Sequence, residues 1–169
     1  NIRFITSCFT GELSIEIARE AWFKGAKVQL VLGKGSKAAP EFLKVKIVQN
    51  FNDYKKEVHN LLRKHSFDWG IFTAAAADFQ PESVYDGKFS SRIDKLTLDL
   101  LPTKKLIEGV KKDFPYLKMV AFKYEENITH DELIAIAKEK LSKKEGPQII
   151  VVNRAEEFQP DGTQVAWLL

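Results

Sequence analysis

Apolar residues recur at helical spacing between Gly11 and Gly25. Leu13, Ile17 and Ala21 form one stripe, with Ile15, Ala18 and Trp22 beside it, which predicts an amphipathic helix opened at Gly11 and stopped at Gly25. KVQLVL (27–32) is a short continuous apolar run and predicts a buried strand, and the GKGSKAAP after it reads as loop. Residues 3–6 and 45–48 read as further short strands. Asn52 or Asp53 is placed to cap a helix running to about Lys64, with Tyr54, Val58, Leu61 and Leu62 as its apolar stripe. Residues 68–77 predict a buried strand that ends on four alanines. KLTLDLL (95–101) alternates with period two and predicts a strand with one wet face. A helix starting at Pro102 and Thr103 follows, then a strand over 117–122. Thr129 or Asp131 caps a helix through Lys143, Gly146-Pro147 breaks it, and QIIVV is the last buried strand before a closing TQVAWLL.

Strands that alternate with helices predict a mainly parallel sheet with helices on both faces. Right-handed crossovers make it a Rossmann-like α/β fold. The stretch near Lys95 and the tail depart from that regularity as an added irregular or antiparallel strand region. A length of 169 residues suits a single domain, 1–169.

Composition narrows the function classes. The net charge of +3 is too small to indicate nucleic acid, and the lysines are spread along helices as solvated faces. No stretch is long and apolar enough to span a membrane, and the start carries no signal-peptide pattern. One cysteine, Cys8, excludes an internal disulfide framework and a cysteine-based metal site, and fits a cytoplasmic setting. His59, His65 and His130 read as surface residues and the three tryptophans as core residues. The chain opens on Asn1 close to a strand and closes on WLL inside another, so both ends look cut from a longer polypeptide.

The candidate chemistry lies in AAAADFQPESVYDGKFSS (74–91). An α/β sheet presents ligands at the carboxyl ends of its strands. Small residues at such an end let a flat ring or a phosphate approach the backbone. Ala74 and Ala75 would permit that approach, Asp78 would hold a ribose hydroxyl or a base edge, and Lys88 would reach a phosphate. Gly11, with Ser7 and Thr10, reads either as a phosphate-binding turn, where free N–H groups favour anions, or as a simple helix start.

These segments stand in an order that resembles a known family. ADF with a lysine ten residues later, then LTLDLLPTKKLI, AFKYEE, a helix and IIVVN, is similar to phosphopantothenoylcysteine synthetase of coenzyme A biosynthesis. The opening RFITSCFTGELSIEIAREAWFKGAKVQLVLG is similar to that family's first helix and next strand. The resemblance covers nearly the whole chain. It implies a ligase that joins 4'-phosphopantothenate to cysteine through an acyl-nucleotide intermediate, with Mg²⁺ and CTP or ATP as co-substrate. It also implies a homodimer. FKYEE and KFSS resemble the eukaryotic forms more closely than the bacterial ones, and the nucleotide stays open between CTP and ATP.

The resemblance assigns Lys88 to the α-phosphate and Ser7 to the cysteine step. It places Ala74, Ala75, Asp78, Phe122 and Lys123 at the nucleotide, and Gly11, Thr10 and Asn153 at the other substrates. Phe122 reads equally as a core aromatic, Lys123 as a surface lysine and Asn153 as a turn residue. Two departures bear on activity. Ser7 stands where the family has asparagine, and a serine cannot reproduce the two-sided pairing of an amide. The family's first strand and glycine-rich phosphate loop fall before the stretch that aligns with Asn1, which leaves open an upstream segment or a divergent chain, and Arg154 replaces the family's aspartate with no evident role. Two other classes compete. An NAD(P)-binding oxidoreductase would want G-x-G-x-x-G after its first strand, and the GKG at Gly33 follows the wrong strand. A non-catalytic nucleotide-binding relative is favoured by Ser7.

Overall fold

A computed structural model describes residues 9–84, 86, 87, 90, 92 and 94–169. Helix α1 (Glu12–Phe23) precedes the parallel pair β1 (Gln29–Gly33) and β2 (Lys44–Val48). Its Ile15 and Ala18 pack on Leu30 and Leu32. The stripe predicted through Leu13 is displaced, and Leu13 is exposed, because Ile15 and Ala18 are the residues that face β1. Gly25 stops the helix with a φ of 88°, a conformation that a Cβ disfavours.

Helix α2 (Phe51–Lys64) is capped two or three residues earlier than expected. The Asn50 side chain accepts from the Asp53 N–H at 2.9 Å. It leads into β3 (Trp69–Phe72), which pairs with β6 (Lys118–Glu125) in parallel. β6 pairs in turn with β7 (Ile149–Arg154), and β8 (Trp167–Leu168) closes this ladder antiparallel to β7. Helix α3 (Leu106–Asp113) precedes β6, and α4 (His130–Ser142) joins β6 to β7.

Strand alternation separates the two faces of this sheet. Met119 packs among Leu106, Val110 and Val58, and Ala121 packs against Leu133 and Ala137, so α2, α3 and α4 share one face. Ser14 of α1 bonds Thr73 just past β3 at 2.6 Å, on the opposite side. Helices therefore cover both faces of a mainly parallel α/β sheet, as expected of a Rossmann-like fold.

Five expectations are corrected. β3 stops at Phe72, and the alanines lie in the loop beyond it, where the Ala76 N–H turns back onto the Ala74 carbonyl at 2.8 Å. KLTLDLL contributes only its last two residues to β5 (Leu100–Pro102), which pairs antiparallel with β4 (Phe79–Pro81) in a separate two-stranded ribbon. Its leucines alternate but have no second layer to bury them, since Leu96, Leu98, Leu100 and Leu101 are all exposed. Thr103 does not cap α3, which starts at Leu106. The three tryptophans are exposed, and His59 is buried instead. His59 approaches the Lys55 carbonyl at 2.9 Å and Asp113 at 3.2 Å, and so ties α2 to α3.

Candidate functional site

The loop after β3 is held by its neighbour rather than by strand pairing. Thr103 donates its N–H to the Asp78 carbonyl at 2.8 Å and its hydroxyl to the Ala77 carbonyl at 2.6 Å. The β4–β5 ribbon begins at the next residue, so the alanine loop is bounded by a bonded hinge on one side and by the sheet on the other. Ala74, Ala75 and Asp78 are exposed there, at the carboxyl end of β3. Thr103 was legible only as a helix start, and its bonding to the loop had no sequence signal.

Thr10 and Gly11 lie at the same end. Gly11 has a φ of 73°, and a Cβ there would come within 3.0 Å of Ser36 Oγ. The Lys37 N–H donates to the Thr10 carbonyl at 2.9 Å. Glycine is thus required by backbone angle and by the close β1–β2 loop. Among the described residues no side chain caps α1, which leaves its first-turn N–H groups without that partner. Glu12 in that turn would repel an anion, but Lys37 pairs with it at 2.6 Å and offsets its charge.

Phe122 and Lys123 are adjacent on β6 and so point to opposite faces. Phe122 is half-buried on the α1 side. The ladder sets Tyr124 beside Asn153, which shares that face. Lys123 is on the α3 and α4 side, ion-paired with Glu125 at 2.5 Å. The candidate residues therefore divide across the carboxyl edge of the sheet: an aromatic and amide group on one face, a lysine group on the other.

The lysine group holds two members that the sequence pattern did not single out. Lys105, at the N-terminus of α3, and Lys123 both act on the ammonium of Lys140, of α4, and the Glu125 carboxylate paired with Lys123 partly offsets them. Burial, followed by the like charges of Lys123 and Lys105, pushes the Lys140 ammonium below its usual range. Such a cluster of ammonium groups is relieved by an anion. Lys140 sits in a lysine-rich amphipathic helix and reads as a solvated face, so its partial burial was not visible in the pattern. Lys88 and Ser7 lie outside the described residues. Among the described residues no group of three or more His, Cys, Asp or Glu is arranged to hold a metal ion, and no helix is long and apolar enough to cross a membrane.

The solved structure of the DNA/pantothenate metabolism flavoprotein from Streptococcus pneumoniae superposes with a TM-score of 0.82. It is 22% identical, and the match covers 100% of this chain and 85% of that one. The C-terminal domain of the coenzyme A biosynthesis bifunctional protein CoaBC gives a TM-score of 0.73 at 22% identity, over 98% and 77% of the two chains. At this identity the likeness concerns the fold. In sequence, the coenzyme A biosynthesis bifunctional protein CoaBC of Thermococcus kodakarensis is 32% identical over 165 residues, covering 97% of this chain. The chain spans 40% of the length of that relative. Residues 1–168 match the family described as DNA/pantothenate metabolism flavoprotein C-terminal domain, and the chain belongs to that family.

Proposed function

We propose that this chain carries the ligase step of coenzyme A biosynthesis, joining 4'-phosphopantothenate to cysteine. The observation that supports this most is the family match across 1–168, together with the ordered ADF, KYEE and IIVVN segments at the carboxyl edge of one sheet. A carboxylate repels an attacking amine, so it must first be activated. A carboxylate oxygen attacks the α-phosphorus of CTP or ATP, and pyrophosphate leaves with the broken P–O bond pair. The cysteine amine, having lost a proton, then attacks the acyl carbon, and the nucleoside monophosphate leaves with the acyl C–O pair. Positioning and cations at the phosphates supply the catalysis, with no protein nucleophile.

In this reading Ala74 and Ala75 admit the base or ribose to the backbone, Asp78 accepts from a hydroxyl or base edge, and Phe122 flanks the ring. Lys88 neutralises the α-phosphate, with Lys123 near the phosphates. The α1 start at Thr10 and Gly11 meets the phosphate of 4'-phosphopantothenate, and Ser7 and Asn153 meet the acyl intermediate. Mg²⁺, which this reading implies, would be held mainly by phosphate oxygens and water rather than by a protein cage, in keeping with its preference for retained waters, and would offset charge on the triphosphate. Lys140 and Lys105 add positive charge on the phosphate side.

A homodimer belongs to the same reading. The ribbon and its approach expose Phe79, Leu96, Leu98, Leu100 and Leu101 within one short region, an apolar surface of the kind that pairs subunits. The reading is tested by pyrophosphate release from CTP or ATP. Release should require 4'-phosphopantothenate, and the amide product should require cysteine. Release without 4'-phosphopantothenate, or a thermal shift with NADPH but with neither triphosphate, overturns it.

A further inference from the structure

Arg154, which has no evident role in the sequence, is one member of a half-buried ion pair. Its side chain is 19% exposed, and that of Glu157 is 13% exposed. One terminal nitrogen of Arg154 donates to the Ile128 carbonyl at 2.7 Å. Its Nε lies 3.1 Å from Glu157 Oε1, an ion pair rather than an aligned hydrogen bond. Glu157 also accepts from Trp167 Nε1 at 3.1 Å and faces His130 Nδ1 at 3.3 Å. Burial would push the Glu157 carboxyl up, but the Arg154 charge beside it and the contacts with Trp167 and His130 outweigh this and hold it below its usual range.

The pair fastens one particular turn. Residues 126–129 connect β6 to α4, and Asn127 takes a left-handed φ of 57° in that turn. Such a conformation persists where the surroundings over-determine it. The α4 cap fixes one end, since Thr129 and Glu132 bond each other reciprocally. Arg154 fixes the Ile128 carbonyl from across the ladder, where its own backbone is in register with Glu125. The turn thereby determines where β6 ends, at Tyr124 and Glu125, beside Lys123 and Asn153.

We propose that Arg154, braced by Glu157, is a positioning residue for nucleotide binding, acting through the 126–129 turn on the ends of β6 and β7. The role rests on the nucleotide reading of that edge. The test uses the polypeptide at its full natural length, with R154M, R154K and E157Q, and measures CTP and ATP affinity by calorimetry. Amide hydrogen exchange is followed on the same proteins without nucleotide. In R154M the Kd rises about tenfold or more, and exchange in 126–129 quickens while Met119 and Ala121 stay protected. R154K, whose donors all sit on one nitrogen without the spread of the guanidinium fork, reaches the carbonyl and the carboxylate together less well and falls between. At saturating nucleotide, kcat stays near the wild-type value. An R154M protein with wild-type Kd overturns the role even if its melting temperature falls, because lost packing alone lowers stability without weakening binding. If R154M does not fold, E157Q and R154K decide it by the same readouts. A wild-type protein that binds neither triphosphate overturns the nucleotide reading and this role with it, and it is recognised because the failure appears before any substitution is made.

Discussion

The β6–α4–β7 unit and the β4–β5 ribbon are built on opposite principles. In the first, Met119, Leu133, Ala137 and Val152 have no exposed surface, Thr129 and Glu132 form a reciprocal cap, and Gln148 fastens the Met119 N–H at 2.6 Å. In the second, three paired residues on each strand present leucines and Phe79 to solvent, and the anchors are backbone bonds such as Glu82 N–H to Asp99 O at 2.9 Å. A two-stranded ribbon without a packed face is marginal alone. The contrast separates two jobs. The first unit supplies stability and a rigid edge. The second borders the alanine loop and presents an exposed apolar surface.

Stability is the sharpest way to break this contrast. Leu133→Ala removes a side chain with no exposed surface from the α4 interface. It is expected to cost about 2–5 kcal/mol, read from urea unfolding. Leu98→Ala, on the exposed approach to the ribbon, is expected to cost well under that in the isolated subunit. Equal losses would show that the ribbon is part of the core. Lys88→Ala addresses activity rather than stability. In the proposed role, where Lys88 stabilises developing charge, its removal is expected to cut kcat about a hundredfold or more, with the melting temperature unchanged. Unchanged turnover removes Lys88 from the mechanism.

Much of the first unit was legible in the sequence, and little of the second. The start of α4, left between Thr129 and Asp131, and a buried strand over QIIVV follow from local signals, and the structure settles the cap on Thr129 and carries the strand on to Arg154. Local signals suffice there because each element's bonds lie within itself or with its sequence neighbours in the sheet. The ribbon was misread because period-two alternation marks strand geometry but says nothing of whether a layer exists to bury one face. The candidate site divides the same way. Asp78 and the alanines were visible as a motif, and the structure places them beyond the strand rather than in it. Lys105, Lys140 and the Arg154 fork were invisible because their significance is a matter of convergence between elements far apart in the chain.

The subunit surface sharpens the comparison further. Leu98→Asp together with Leu100→Asp puts charge onto the exposed apolar region. Light scattering is expected to shift from the mass of a dimer to that of a monomer, while the unfolding midpoint of the monomer is retained. A wild-type protein already monomeric at micromolar concentration would assign those leucines to some other cover.

The smallest effect isolates the cap of α4. Thr129→Ala removes the hydroxyl that accepts from the Glu132 N–H at 3.3 Å, and is expected to cost about 1 kcal/mol. The threonine also acts on Glu132. Its N–H and hydroxyl donate to Glu132 Oε2 at 2.7 and 2.8 Å, and these bonds hold the Glu132 carboxyl below its usual range. A folded-state pKa depressed in this way adds stability that is present above the unfolded pKa and is lost as pH falls through the folded one. The deficit of Thr129→Ala relative to wild type should therefore be full near neutrality and shrink as acid protonates Glu132. Because Glu132 is exposed, salt should leave most of the hydroxyl's own contribution intact while weakening any helix-dipole component. A deficit that stays constant from neutral pH down through the carboxylate range would show that the hydroxyl's bond to Glu132 contributes nothing, the backbone N–H bond to Glu132 being present in both proteins.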